Sequence, residues 1–198
     1  MIHSGLGYAT GMTRVPLPPL PPVAPDARPG GRSMVDLLIA EHRGLVELSA
    51  RLSDPVTASV FTAGLVRHLS AEEQYLYPTV RAALRDGDRL ADTEIEADAA
   101  LLRSLRLSAF PDTATGLRGH VERCHTRLFP ALRAVLDDAA LIRLGNRVLI
   151  AEEAAPTRPH PGTPFVPPWN RVVEPAVGVL DKVRDALTRR PTRAEDLA

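Results

Sequence analysis

Leu65-Val-Arg-His68-Leu-Ser-Ala-Glu72-Glu73-Gln-Tyr75-Leu-Tyr77-Pro78 is the stretch on which the reading of the chain turns. An imidazole and a carboxylate stand four residues apart, so on a helix they lie one above the other on the same face. Phe61, Leu65 and Leu76 share that face, which places both polar groups where the chain must bury its surface. A His and a Glu buried there are costly unless they bind each other or a cation. The frame then returns in Leu117-Arg-Gly-His120-Val-Glu-Arg-Cys124-His125-Thr-Arg-Leu128-Phe129-Pro130, with a Pro following the His at the same interval.

Working outward, every neighbouring segment has helical spacing. Upstream, Ser33 is a plausible N-cap, and Val35, Leu38, His42, Leu45, Leu48 and Leu52 recur at steps of three and four, so His42 falls on an apolar stripe. Asp54-Pro55 caps the helix that carries His68 and Glu72, with Val80 and Leu84 continuing it past Pro78 as a kink rather than a stop. After the turn Asp86-Gly87-Asp88, a third helix places Leu90, Ile95, Leu101, Leu102 and Leu105 on one side. Glu94 and Asp98 share that arc, while Glu96 projects outward. Phe110-Pro111-Asp112 breaks the chain, and a fourth helix from about Thr113 to Asp137 carries Leu117, His120, Cys124, Leu128, Leu132 and Val135. His125 lies at the edge of that stripe, so either Cys124 or His125 can look inward.

A further helix spans Ala139 to Glu153, with Leu141, Leu144, Val148 and Leu149 apolar. Beyond the linker Pro156-Thr-Arg-Pro-His160-Pro-Gly-Thr-Pro, Trp169-Asn170 opens a short amphipathic helix through Val173, Val177, Leu180 and Leu187, expected to pack back on the rest. At the other end, residues 1–32 form a Pro-rich leader whose run Val15 to Pro25 favours extended polyproline geometry. The expectation is an all-α protein: an up-down-up-down four-helix bundle over residues 33–154, with a Pro-rich linker and a C-terminal helix over 155–198.

Composition limits the functions open to such a bundle. Lys plus Arg and Asp plus Glu balance at 24 each, so no bulk field draws the chain to nucleic acid or an anionic membrane. No apolar run approaches the roughly 20 residues that span a bilayer. The single cysteine, Cys124, has no partner for an internal disulfide, which fits a reducing compartment. A cytoplasmic protein is expected. Each of the first four helices brings a metal-competent residue to its buried stripe: His42; His68 and Glu72; Glu94 or Asp98; His120 with Cys124 or His125. Imidazole and carboxylate with at most one thiolate suit iron best, and zinc or manganese less specifically.

The order His42, then His68-x-x-x-Glu72-Glu73 closing on Leu76-Tyr77-Pro78, then His120 closing on Leu128-Phe129-Pro130, resembles the hemerythrin-like (HHE cation-binding) domain over about Met34 to Leu144. The ending from Pro167-Pro-Trp-Asn to Asp185-Ala186 is similar to tails of actinobacterial members. The resemblance implies a non-haem di-iron centre. In it, His42 and His68 would be terminal ligands of one metal, Glu72 a bridging carboxylate and His120 a terminal ligand of the second metal. The chain departs from the pattern in two places. Asp98 stands where the third helix should bring a His, and Cys124 where the fourth should bring a bridging Glu, with His125 next to it. Added negative charge and thiolate softness would lower an iron potential and make plain reversible oxygen binding less favourable. The implied function is a metal-binding module for oxygen, nitric oxide or peroxide, holding two irons or, with a degenerate second site, one. An oxidoreductase acting on peroxide or nitric oxide, and a metal-free interaction bundle, are the competing readings.

Overall fold

The computed structural model describes residues 29–159 and 169–197; the leader through residue 28 and the centre of the Pro-rich linker lie outside the described residues. The described chain is helical, without a strand, in six rods. Rod one is α1 (Met34–Ser49). Rod two joins α2 (Pro55–Ala71) to α3 (Tyr77–Ala83) through a π-helical turn, Glu72–Leu76. Rod three is α4 (Gly87–Arg106). Rod four joins α5 (Phe110–Arg123) to α6 (Phe129–Val135) through a second π-helical turn, Cys124–Leu128. Then come α7 (Asp138–Ala154) and α8 (Trp169–Thr188).

The capping signals act as the sequence predicts. Ser33 Oγ accepts the Asp36 N–H at 3.1 Å, and Asp54 Oδ2 accepts the Thr57 N–H at 2.8 Å, with Pro55 opening its helix. The two internal prolines do not end their rods. A straight helix would drive each ring into the carbonyl four residues back. Instead, Tyr77 N–H reaches Glu72 O and Phe129 N–H reaches Cys124 O, widening the turn just before each Pro. Both widened turns begin at a residue singled out as a metal ligand.

Three boundaries differ from expectation. The break before the fourth rod is Leu107–Ala109, where Ser108 takes φ 54°; Phe110 and Pro111 belong to the helix, because Pro is favoured in a first turn. Val135 and Leu149 are exposed rather than buried, and α7 packs instead through Leu141, Gly145, Val148 and Ala151. On α8, Leu180 and Leu187 face solvent, while Gly178, Asp181 and Asp185 are turned inward. That helix is therefore held by polar contacts. Asp181 accepts the Thr157 and Arg158 backbone N–H groups at 3.0 and 3.1 Å, and Asp185 accepts the Thr157 hydroxyl and the Arg158 guanidinium. The side chains of Val173 and Val177 lie outside the described residues.

Packing runs in a ring: α1 on α2, α3 on α4, α4 on α5, and α5 back on α1. α7 closes against α1, α2 and the first π turn. Gly145 makes this approach possible, since a Cβ there would strike the Arg32 carbonyl. Two apolar clusters fill the interior. One gathers Leu38, Leu76, Tyr77, Leu128, Phe129 and Leu132, the other Leu45, Phe61, Leu65, Leu101, Leu105 and Leu117. Each fully buried Leu or Phe contributes about 1.5–3 kcal/mol. His42, His68, Glu72, Asp98 and His120 are buried polar residues set among these two clusters.

Candidate metal centre

The polar level is built one rod at a time. His42 comes from α1, His68 from the last turn of α2, Glu72 from the first π turn, His120 from α5 and Cys124 from the second π turn; all five are at most 1% exposed. Three imidazoles pack with centroids 4.7, 5.1 and 5.7 Å apart. Their Nε2 atoms converge on one carboxylate. Glu72 Oε1 lies 3.3 Å from His68 Nε2 and 3.6 Å from His42 Nε2, and Glu72 Oε2 lies 3.2 Å from His120 Nε2. His42 Nε2 and His120 Nε2 are 3.2 Å apart, and Cys124 Sγ is 3.8 Å from His120 Nε2.

The opposite nitrogens are tied away from this point. His68 Nδ1 donates to Glu41 Oε2 at 2.8 Å and His42 Nδ1 pairs with His125 Nε2 at 3.0 Å, while His120 Nδ1 faces Asp98 Oδ1 at 3.1 Å without an aligned hydrogen bond. Outer partners of this kind fix the imidazole tautomer and aim the other lone pair inward, as they do around bound metals. The inner atoms are left underused. His68 Nε2 and Glu72 Oε1 are buried with no hydrogen-bond partner, since their 3.3 Å approach is not aligned for a bond.

These distances pass a test for a cation. Four ligands about 2.1 Å from one ion in a tetrahedron are about 3.4 Å from each other. The separations among the imidazole and Glu72 atoms, from 3.2 to 3.6 Å, are of that size, and Cys124 Sγ lies a little farther out at 3.8 Å from His120 Nε2. His42, Glu72, His120 and Cys124 bring one ligand atom each within 4.8 Å of one another, so the group can hold a metal ion.

Electrostatics give the same picture. Burial disfavours charge on His68, but Glu72 and Glu41 outweigh it and lift its pKa to about 10. Burial likewise opposes charge on His120, yet Glu72 and Asp98 raise it well above the ordinary imidazole value. Burial works against the Glu72 carboxylate too, and His120 and His68 hold it well below the usual range. His42, by contrast, is pushed down by burial to about 4 and stays neutral. Without a metal, protons on His68 and His120 balance Glu72, and a metal would have to displace them. Burial drives the Cys124 thiol up to about 12 and Tyr77 well above its ordinary value, so both keep their protons.

Of the residues expected at the site, His42, His68, Glu72, His120 and Cys124 are brought together. Asp98 is also there, but on the outer nitrogen of His120 rather than among the converging atoms. It shares the single Tyr77 hydroxyl proton with Glu72 Oε2, which lies 3.1 Å from the Tyr77 oxygen. Glu94 is drawn off by Arg123, whose Nε lies 2.9 Å from both carboxylate oxygens. His125 is exposed, and it is Cys124 that points inward. Sequence reading assigned no role to Tyr77, Glu41 or Glu152. Burial and its neighbour Glu41 push Glu152 up to about 8, so at neutral pH it is protonated and donates to Glu41, which His68 keeps ionised against the cost of burial. Glu41 adjoins His42 in sequence, yet its partners sit on two other rods, a relation no local pattern reveals.

No family model matches the chain, and no curated protein or solved structure matches it. Among the described residues, no helix is long and apolar enough to cross a membrane.

Proposed function

We propose that this chain is a hemerythrin-like protein whose ring of four rods is an up-down-up-down four-helix bundle holding non-haem iron. In this reading it binds or senses a small redox ligand, namely oxygen, nitric oxide or peroxide. The observation that carries the reading is the convergence of three imidazole Nε2 atoms on Glu72, with the Nδ1 atoms of His68 and His42 hydrogen-bonded outside. His42, His68 and Glu72 Oε1 would hold one iron; His120, Glu72 Oε2 and Cys124 would hold a second. Bound there, iron would supply a Lewis-acidic, one-electron redox centre for a diatomic ligand.

The protein's own part is to prepare that centre. Glu41 and Asp98 set the tautomers of His68 and His120 and raise their basicity as ligands. Tyr77 keeps its proton and presents a hydroxyl beside Glu72, from which a proton could pass to a reduced ligand. That hydroxyl favours, as the second reading, an oxidoreductase that consumes peroxide or nitric oxide. The two rods that pass through π turns hold Glu72 and Cys124 against His120 in a buried interior.

The test is elemental analysis with absorption spectra of protein expressed with iron and purified without oxygen, before and after nitric oxide is added. At least one iron per chain and a ligand-dependent spectrum are expected. Less than one metal per chain contradicts the proposal in favour of a metal-free bundle. Peroxide consumption by the loaded protein, abolished in His68→Ala, would select the oxidoreductase.

A further inference from the structure

Beside the centre, on the α2–α4 side, lies a pocket of about 50 Å³ that none of the ligand chemistry uses. Its floor includes Tyr77 and Asp98, the two residues that touch Glu72 and His120 from outside. Leu69, Ile95, Ala99 and Leu102 line it together with Glu73 and Arg106, and the segment from Pro156 through Arg158 to Pro159, which follows α7, completes it. That segment is fixed in place. Thr157 is 2% exposed, and Asp181 and Asp185 of α8 grip Thr157 and Arg158 through backbone and side-chain hydrogen bonds. Gly178 lets α8 come close enough to do so, since a Cβ there would strike the Ala154 carbonyl.

We infer that this pocket is a docking site for a small neutral, apolar molecule of diatomic size, and that such a ligand reaches the metal centre from it past Tyr77. Size and lining carry the inference. The volume suits a molecule of a few heavy atoms, and a mostly apolar lining favours a weakly hydrated guest over water. Its position against Tyr77, whose hydroxyl meets Glu72, places such a guest one side chain away from that carboxylate. The chain beyond the ring of four rods thereby gains a role: the 155–159 segment and α8 are the pocket's lid rather than an appendage. The route rests on the iron reading above; the pocket itself does not.

Xenon is the probe, because it binds apolar cavities of this kind without any metal. In the full-length, metal-free protein, dissolved xenon should shift the methyl resonances of Leu69, Ile95 and Leu102 and leave those of Leu45 and Leu132 unmoved. Ala99 is only partly buried, so Ala99→Val and Ala99→Leu can fill the pocket from its rim without disturbing the core. The shifts should fall with Val and vanish with Leu. Absent shifts, or shifts indifferent to both variants, overturn the pocket. In iron-loaded protein, Ala99→Leu should slow nitric oxide association on the order of tenfold, equal to about 1.4 kcal/mol of barrier, with iron content unchanged. An unchanged rate despite lost xenon binding overturns the route. Xenon binding in protein that takes up no iron keeps the pocket but overturns both the route and the iron reading.

Discussion

The two halves of the centre share one backbone device and differ in chemistry. Each places a His in the last turn of a helix, opens a π turn at the next ligand position, and follows it with an aromatic residue and a Pro. In the first half the π turn begins with Glu72 and ends against Tyr77, whose hydroxyl binds two carboxylates. In the second it begins with Cys124 and ends against Phe129, whose ring stacks on His42 at 5.7 Å and 19°. Glu73 is buried and its counterpart His125 is exposed. The lesson is that position comes from the helix and charge from the side chain. The repeated frame aims both residues inward, but only the Glu72 half delivers a carboxylate that three imidazoles can share.

Breaking that asymmetry at its strong end gives the largest effect. Glu72→Ala should weaken iron binding by more than the roughly 100-fold that outer partners of ligands command, while Cys124→Ala should cost less than about tenfold. Competition against a chelator of known affinity measures both. Equal losses would show that the two halves contribute alike. Making the halves match is the converse. Cys124→Glu would bury a second carboxylate beside Glu72, so the metal-free variant should lose about 2 kcal/mol in urea denaturation. Added iron should restore it, and the bound metal should rise toward two per chain.

A third expectation concerns protons. His68, with its pKa near 10 in the metal-free centre, is protonated at neutral pH, so binding a metal expels that proton. Affinity therefore falls as pH is lowered, by about tenfold per unit for each proton released. Isothermal titration in buffers of different ionisation enthalpy should find at least one proton released; none would mean that the imidazoles are not the ligands. The smallest effect belongs to the aromatic pair. Tyr77→Phe makes the first half resemble the second, and losing the hydroxyl from two buried carboxylates should cost about 1–2 kcal/mol by thermal denaturation.

Much of this was legible in the sequence. The helices, the caps at Ser33 and Asp54 and the inward facing of His42, His68, Glu72 and His120 follow from a 3.6-residue period that local sequence carries. What sequence left open has specific causes. Cys124 and His125 were indistinguishable because both fall within the width of the inward arc, and packing against the other rods decides which is buried. Glu94 and Asp98 lie on one stripe, and only the neighbouring rod separates them, through Arg123 for one and His120 for the other. Glu41 and Glu152 meet across α1 and α7, a contact without sequence proximity. For α8, Leu180 and Leu187 of the expected stripe face solvent, and the described inward contacts include carboxylates serving Thr157 and Arg158.

The central claim is that the three Nε2 atoms and Glu72 form a metal centre, and X-ray absorption at the iron edge of the loaded protein reads it most directly. The account predicts a nitrogen and oxygen shell with the outer-shell scattering of two to three imidazoles per chain, lost stepwise in His42→Ala and His68→Ala. Iron surrounded by oxygen alone, with no imidazole scattering in the parent protein, would contradict it.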